Sequence, residues 1–165
     1  MFHDGLRDDA VRLLALCRAK SLRLATAESC TGGLIGALLT EIPGSSDVFD
    51  RGFITYSNAA KMTILDVPEA VLATHGAVSA ATVEAMVAGT LRHSVADVAV
   101  AVSGVAGPGG GSSGKPVGLV YIACGAREGA TLTLEKRYGD IGRAHVRMAT
   151  VIDAVALMAN VCGRA

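Results

Sequence analysis

The sequence predicts an α/β protein, a three-layer α/β/α sandwich with a mixed, mostly parallel sheet of about five strands. Short apolar stretches with strand character alternate with longer stretches in which leucine, valine and alanine recur at helical spacing. The stretch 97–103 is almost wholly apolar, which is typical of a central strand covered on both faces. The link 125–129 is short enough to join two strands as an antiparallel hairpin, and it makes the predicted sheet a mixed one.

The elements follow one another without a long linker, repeat or low-complexity segment. The predicted strands cover 22–27, 48–56, 97–103, 117–124 and 130–138. The predicted helices cover 5–20, about 31–40, 57–65, 68–75, 79–94 and 140–162. Ser57 and Ser79 are residues of the type that caps a helix, and Pro68 suits the first turn of another.

Composition bounds the class of protein. The 165 residues favour one domain, 1–165, and 51% hydrophobic with 18% charged residues indicates a globular chain. No uninterrupted apolar run reaches the roughly 18 residues of a membrane span, so we expect no membrane association. A formal net charge of +0 and only 4% aromatic residues argue against a nucleic-acid partner.

The cysteines and histidines are scattered along the chain. Cys17, Cys30, Cys124 and Cys162 form no C-x-x-C pair, so we expect free thiols in a reducing compartment. The four histidines show no metal-ligand spacing, so we expect no metal site. The polar N-terminus lacks the layout of a signal peptide, and we predict a cytoplasmic protein. The apolar faces of the first and last helices suit either the core or a homodimer.

A polar turn that ends in two glycines, Glu28–Gly33, joins the first strand to the second helix. A hydroxyl at such a turn lies at the carboxyl edge of the sheet, where backbone N–H groups can receive an oxyanion, so Ser29 is a candidate nucleophile. Ser29 equally suits a helix cap, although Thr31 could fill that role. Cys30 is the rival nucleophile, since a helix N-terminus can lower a thiol pKa, but small buried cysteines are common.

A nucleophilic serine needs a base, and Lys61 is the candidate. It follows the predicted strand 48–56 by about one helical turn, and burial there would lower its pKa and let it take the Ser29 proton. The spacing alone favours a solvated lysine on a helix face instead. Tyr56, at the end of that strand, could relay a proton or orient the substrate, or it could simply be a half-buried strand residue.

Two further segments are candidate anion sites. Gly109–Lys115 fits the spacing G-x-x-x-x-G-K, but Pro116 replaces the required Ser or Thr and a strand follows, so we reject a P-loop. The loop 104–116 could still hold a phosphate or carboxylate, or simply connect two strands. Arg143, in the first turn of the last helix, suits either anion binding or the surface, and Arg147 one turn later could be mistaken for it.

Five blocks of the chain, in order between about residues 5 and 162, resemble the CinA C-terminal domain family. They are Thr26–Gly33, Gly52–Asn58 with Lys61, His75–Ser79, Ser103–Pro108 and Lys115–Gly118. The resemblance implies a stand-alone amidohydrolase that converts nicotinamide mononucleotide to nicotinate mononucleotide and ammonia without a cofactor. An amide or ester hydrolase of another substrate, and a non-catalytic binding module tied to competence or DNA damage, stay open as alternatives.

The resemblance also implies roles for individual residues. Ser29 would be the nucleophile, Lys61 the general base and Tyr56 an aid to proton transfer. Backbone N–H groups of the turn would hold the oxyanion, and other residues would line the site or bind the substrate. This second set comprises Cys30, Thr31, Gly32, Gly33, Ser103, Gly104 and Arg143.

Overall fold

A computed structural model, which describes residues 2–165, has one five-stranded sheet at its centre. The strands are β1 (Leu24–Glu28), β2 (Phe49–Ile54), β3 (Val98–Gly104), β4 (Leu119–Ala126) and β5 (Thr131–Arg137), in the order β2-β1-β3-β4-β5. β1 pairs in parallel with β2 and β3, whereas β3–β4 and β4–β5 are antiparallel. The prediction of a mixed five-stranded sheet is confirmed, but its pairs are evenly divided because the β4–β5 hairpin joins β3 antiparallel.

Helices cover both faces of the sheet, which confirms the three layers. They are α1 (Asp4–Ala19), α2 (Leu34–Thr40), α3 (Asn58–Leu65), α4 (Glu69–His75), α5 (Ala80–Arg92) and α6 (Arg143–Arg164). One apolar core lies between the sheet and α1, α2 and α6, and a second lies between the sheet and α3, α4 and α5.

β3 shows how one strand serves both cores. Its valines, Val98, Val100 and Val102, belong to the core beneath α1 and α6. Its alanines, Ala99 and Ala101, belong to the core beneath α5, as the period-2 alternation of a strand requires. The nearly continuous apolar sequence of this strand therefore reflects burial on both faces.

α6 is the longest helix, with 22 residues. By length and composition it could cross a membrane, but half of its most apolar 18-residue stretch is buried inside the protein. Its buried side chains, which include Val151, Val155 and Met158, pack in the same core as Leu13 and Leu14 of α1. Core packing therefore accounts for the apolar side of this helix.

The topology gathers three strand ends at one edge of the sheet. Because β1, β2 and β3 are mutually parallel, their carboxyl ends at Glu28, Ile54 and Gly104 lie side by side. Ligands of α/β proteins bind outside the carboxyl ends of such strands. The residues that follow these three ends therefore define the place to look for a site.

Candidate active site

The end of β1 and the start of α3 bring a serine and a lysine together. Lys61 Nζ donates one hydrogen bond to Ser29 Oγ at 3.1 Å and another to the Thr55 carbonyl at 2.8 Å. Ser57 caps α3, so Lys61 lies one turn inside a helix that starts directly after β2. Lys61 is buried beside Ser29, and the interpretation as a solvated lysine is wrong.

Lys61 is removed from water almost completely, with 1% exposure. Burial disfavours the ammonium form and lowers the pKa of Lys61 below its ordinary value of 10.5. Cys30 opposes this shift more weakly, and both hydrogen bonds of the amine within the described residues go to neutral oxygens. A neutral amine in contact with a serine hydroxyl can accept its proton.

A buried carboxylate shapes the turn that carries Ser29. Glu28 is 1% exposed. Its oxygens accept hydrogen bonds of 2.6 to 3.1 Å from four groups, the Thr31 hydroxyl and the N–H groups of Gly33, Ile35 and Gly36. The first N–H groups of a helix have no partner within the helix, and Glu28 supplies one. α2 therefore begins at Leu34 rather than near residue 31, and Thr31 does not cap it.

The N–H groups of this turn are not equally available to a ligand. Those of Gly32 and Gly33 already donate within the protein, at 3.1 and 2.9 Å. Those of Cys30 and Thr31 have no acceptor among residues 2–165. Of the four predicted oxyanion donors, only the N–H groups of Cys30 and Thr31 are therefore free, within the described residues, to bind a ligand. The N–H groups of Gly32 and Gly33 stabilise the turn instead.

Cys30 is a weaker candidate nucleophile than its position in the sequence indicates. Its side chain is buried, with 4% exposure, and burial raises the pKa of the thiol to about 12. A thiol must lose its proton to attack, so burial disfavours the reactive form of this cysteine. Ser29, which is hydrogen-bonded to Lys61, is the nucleophile that the geometry favours.

Arg143 and Tyr56 form the rim of the site. Arg143 Nη2 donates to the Tyr56 hydroxyl at 2.8 Å, and Arg143 Nη1 donates to the Gly107 carbonyl at 2.8 Å. Tyr56 is 60% exposed and, among residues 2–165, has no hydrogen bond to Ser29 or Lys61. A role for Tyr56 in proton transfer stays a prediction, whereas its contact with Arg143 is direct.

These residues enclose a cavity of about 230 Å³. Its lining comprises Ser29, Cys30, Tyr56, Lys61, Ala77, Val78, Ser103, Gly104, Ala106 and Arg143. The buried Ser103 hydroxyl donates to the Ala77 carbonyl at 2.7 Å and so ties the segment after α4 to the end of β3. The volume is below the roughly 300 Å³ of typical small-molecule pockets, so it suits one ring of a larger ligand.

A larger cleft of about 590 Å³ lies at the opposite end of the sheet. It is bounded by the β4–β5 hairpin and the end of α6, with Arg127, Leu132 and Arg164 in its wall. None of the predicted site residues lines it. Its size alone does not make it the site, because the serine, the lysine and the unpaired N–H groups are all elsewhere.

The site contains two residues, Arg147 and Glu28, whose roles the sequence did not predict. Arg147 lies one turn after Arg143 and donates to the carbonyls of Cys30 and Thr31, at 3.2 and 2.7 Å. The sequence feature that could have indicated Arg147 is its i,i+4 spacing from Arg143, which places both arginines on one face of α6. The feature that could have indicated Glu28 is its position at the end of a buried strand, because a buried carboxylate needs several hydrogen-bond donors.

The chain is similar to known proteins over nearly its whole length. The family model for the CinA C-terminal domain matches residues 7–162. A Pseudomonas putida protein named nicotinamide-nucleotide amidohydrolase PncC is 50% identical over 152 residues, which are 92% of this chain and 94% of that protein. The crystal structure of the competence/damage inducible protein CihA from Agrobacterium tumefaciens superposes with a TM-score of 0.96 at 50% identity, covering 98% of both chains.

Other relatives are longer. A CinA-like protein of Parasynechococcus marenigrum is 49% identical over 154 residues, which are 92% of this chain but 36% of that protein. This chain therefore spans about a third of the length of such relatives.

Proposed function

Because this chain belongs to the CinA C-terminal domain family, we propose that it is an amidohydrolase that converts nicotinamide mononucleotide to nicotinate mononucleotide and ammonia. The observation that carries the proposal is the contact of buried Lys61 Nζ with Ser29 Oγ at 3.1 Å. The name of the Pseudomonas putida relative supports this substrate, since the two chains match over almost their full lengths. Four buried free cysteines fit a cytoplasmic enzyme.

The first half of the reaction forms an acyl-enzyme. Ser29 Oγ attacks the carboxamide carbon while neutral Lys61 takes the hydroxyl proton. The N–H groups of Cys30 and Thr31 receive the resulting oxyanion. When the C–N bond breaks, the Lys61 ammonium returns its proton to the departing nitrogen, and ammonia leaves.

The second half releases the acid. Water attacks the ester carbon, and Lys61, neutral again, takes a proton from that water. The C–O bond to Ser29 then breaks, and Lys61 returns the proton to the serine oxygen. One water is consumed and the carboxamide has become a carboxylate, so the cycle closes with side chains, backbone N–H groups and water.

In this proposal the rim of the site binds the ribose phosphate of the substrate. The cavity holds the pyridine ring against Ser103 and Gly104, and the ribose phosphate extends outward. Arg143 then binds the phosphate, because a guanidinium matches phosphate geometry with two parallel hydrogen bonds. It leaves the Gly107 carbonyl or the Tyr56 hydroxyl to do so.

A phosphate contact predicts a substrate-dependent effect of Arg143→Ala. A hydrogen bond to a charged group contributes about 1.5–3 kcal/mol, so KM for nicotinamide mononucleotide should rise roughly 10- to 100-fold. KM for nicotinamide riboside, which lacks the phosphate, should stay the same. Steady-state ammonia release from both substrates measures this, with Arg12→Ala on the surface of α1 as the control. An equal rise of KM for both substrates would contradict the contact between Arg143 and the phosphate.

A further inference from the structure

Arg147 does not line the cavity, but it contacts the backbone of the turn that carries Ser29. Its guanidinium donates to two successive main-chain carbonyls, those of Cys30 at 3.2 Å and Thr31 at 2.7 Å. These carbonyls belong to the two residues directly after Ser29. The part-buried side chain thus links α6 to the backbone that follows the nucleophile.

Because a peptide unit is planar, the bond from Arg147 to the Cys30 carbonyl also fixes the direction of the Thr31 N–H. In a trans peptide the carbonyl and the next N–H point in opposite directions, and the cis peptide found among residues 2–165 lies elsewhere, at Gly107–Pro108. The carbonyl of Cys30 is bound to Arg147, so the Thr31 N–H points away from Arg147.

That N–H group is unusual in being buried without an acceptor. Thr31 has 0% exposure, and within the described part of the chain its N–H donates to no other residue. Most buried backbone N–H groups are paired. This unpaired group belongs to the peptide between Cys30, which lines the cavity, and Thr31, which lies behind the cavity wall, so a ligand atom at the Ser29 end of the cavity is the acceptor that would complete it.

We propose that Arg147 is a positioning residue of the oxyanion hole, which holds the Cys30–Thr31 peptide with its N–H toward the reacting carbonyl. This inference rests on the amidohydrolase function proposed above. A cation at the carbonyl end of a peptide and an anion at the N–H end polarise it in the same sense, so the guanidinium also strengthens the hydrogen bond to the oxyanion. The benefit exists mainly when negative charge has developed, in the transition state.

The two arginines of α6 therefore have separable effects. Arg143 reaches the rim, and its loss should raise KM for the phosphorylated substrate. Arg147 acts on the backbone, and its loss should lower kcat with little change in KM. Removing an oxyanion-hole donor costs about 10²- to 10³-fold in kcat, and loosening one should cost roughly 10- to 100-fold.

The test compares Arg147→Ala and Arg147→Lys with wild type and the surface variant Arg12→Ala. We expect kcat for nicotinamide mononucleotide to fall in Arg147→Ala, with KM nearly unchanged, and to be intermediate in Arg147→Lys, which keeps one donor. Millimolar guanidinium ion should restore part of the activity of Arg147→Ala but none of Ser29→Ala. A wild-type kcat in Arg147→Ala, or a loss confined to KM, would overturn the inference.

A second readout separates this inference from the proposed function. A fluorophosphonate probe phosphonylates an activated serine, forming an O–P bond while fluoride leaves, and its transition state needs the same oxyanion hole. If wild type releases no ammonia from nicotinamide mononucleotide, the proposed substrate fails, and the labelling rate of Ser29 still tests Arg147. Slower labelling in Arg147→Ala supports the positioning role, and an unchanged rate contradicts it. If Arg147→Ala does not fold, Arg147→Lys decides by the same measurements.

Discussion

At the scale of the single residue, the burial of Lys61 lowers the stability of the folded protein but makes the amine a better base. Burial penalises its ammonium form and so lowers the pKa of Lys61, which favours the neutral amine that can accept the Ser29 proton. A base is most effective when its pKa lies near the working pH. The enzymatic rate should therefore rise with pH as Lys61 loses its proton, and should level off below the ordinary lysine pKa of 10.5.

The same residue predicts a pH-dependent stability. The unfolded chain binds a proton at Lys61 more readily than the folded protein does, so the free energy of unfolding rises with pH between the lowered pKa and 10.5. Lys61→Met removes this dependence. Its free energy of unfolding relative to wild type should be most favourable at low pH and should decline by up to about 1.4 kcal/mol per pH unit through that window. Urea unfolding of both proteins from about pH 6 to pH 10 measures this, and a difference that does not vary with pH would contradict it.

At the scale of the element, the turn before α2 depends on one carboxylate. Glu28→Gln keeps the shape of the side chain but replaces one accepting oxygen with an NH₂ group that faces N–H donors. We expect unfolding to become easier by about 2–3 kcal/mol, because buried donors lose a charged acceptor. Urea unfolding measures the loss. Glu128→Gln, at an exposed position of the β4–β5 hairpin, should change stability by less than about 0.5 kcal/mol, and equal effects of the two variants would refute this role of Glu28.

A second element-scale feature is the close approach of α3 and α5. A Cβ on Gly89 would lie 2.0 Å from the Leu65 carbonyl oxygen, which is backbone and cannot rotate away. Gly89→Ala should therefore lower the free energy of unfolding by about 2 kcal/mol or more, despite the better helix propensity of alanine. Gly163→Ala in α6, where a Cβ meets nothing within 4 Å, should cause no loss. Since α3 carries Lys61, kcat of Gly89→Ala should fall as well, and thermal unfolding with activity on the same samples checks both.

At the scale of the whole molecule, the strands and helices could be predicted because their patterns are local. The alternation of valine and alanine in β3 and the short link 125–129 depend only on neighbouring residues. The direction in which the hairpin joins the sheet depends on contacts far apart in sequence. The local pattern does not reveal that β4 pairs antiparallel with β3, so it predicts a mostly parallel sheet, whereas the pairs are evenly divided between parallel and antiparallel.

The site divides in the same way. Ser29 could be located from the strand, turn and helix around it, which are contiguous. Spacing could not show that α3 turns Lys61 into the protein, since that depends on how α3 packs on α5. Arg147 could not be separated from a surface arginine, because its partners are main-chain carbonyls more than a hundred residues earlier.

Ammonia release from nicotinamide mononucleotide by the purified wild type, Ser29→Ala and Cys30→Ala is the most direct measurement. We expect wild-type turnover, a loss of roughly 10³-fold or more in Ser29→Ala, and activity within a few-fold of wild type in Cys30→Ala. This pattern would establish both the reaction and the nucleophile. Turnover that survives in Ser29→Ala but disappears in Cys30→Ala would contradict the Ser29–Lys61 mechanism, and absence of turnover in wild type would contradict the proposed substrate.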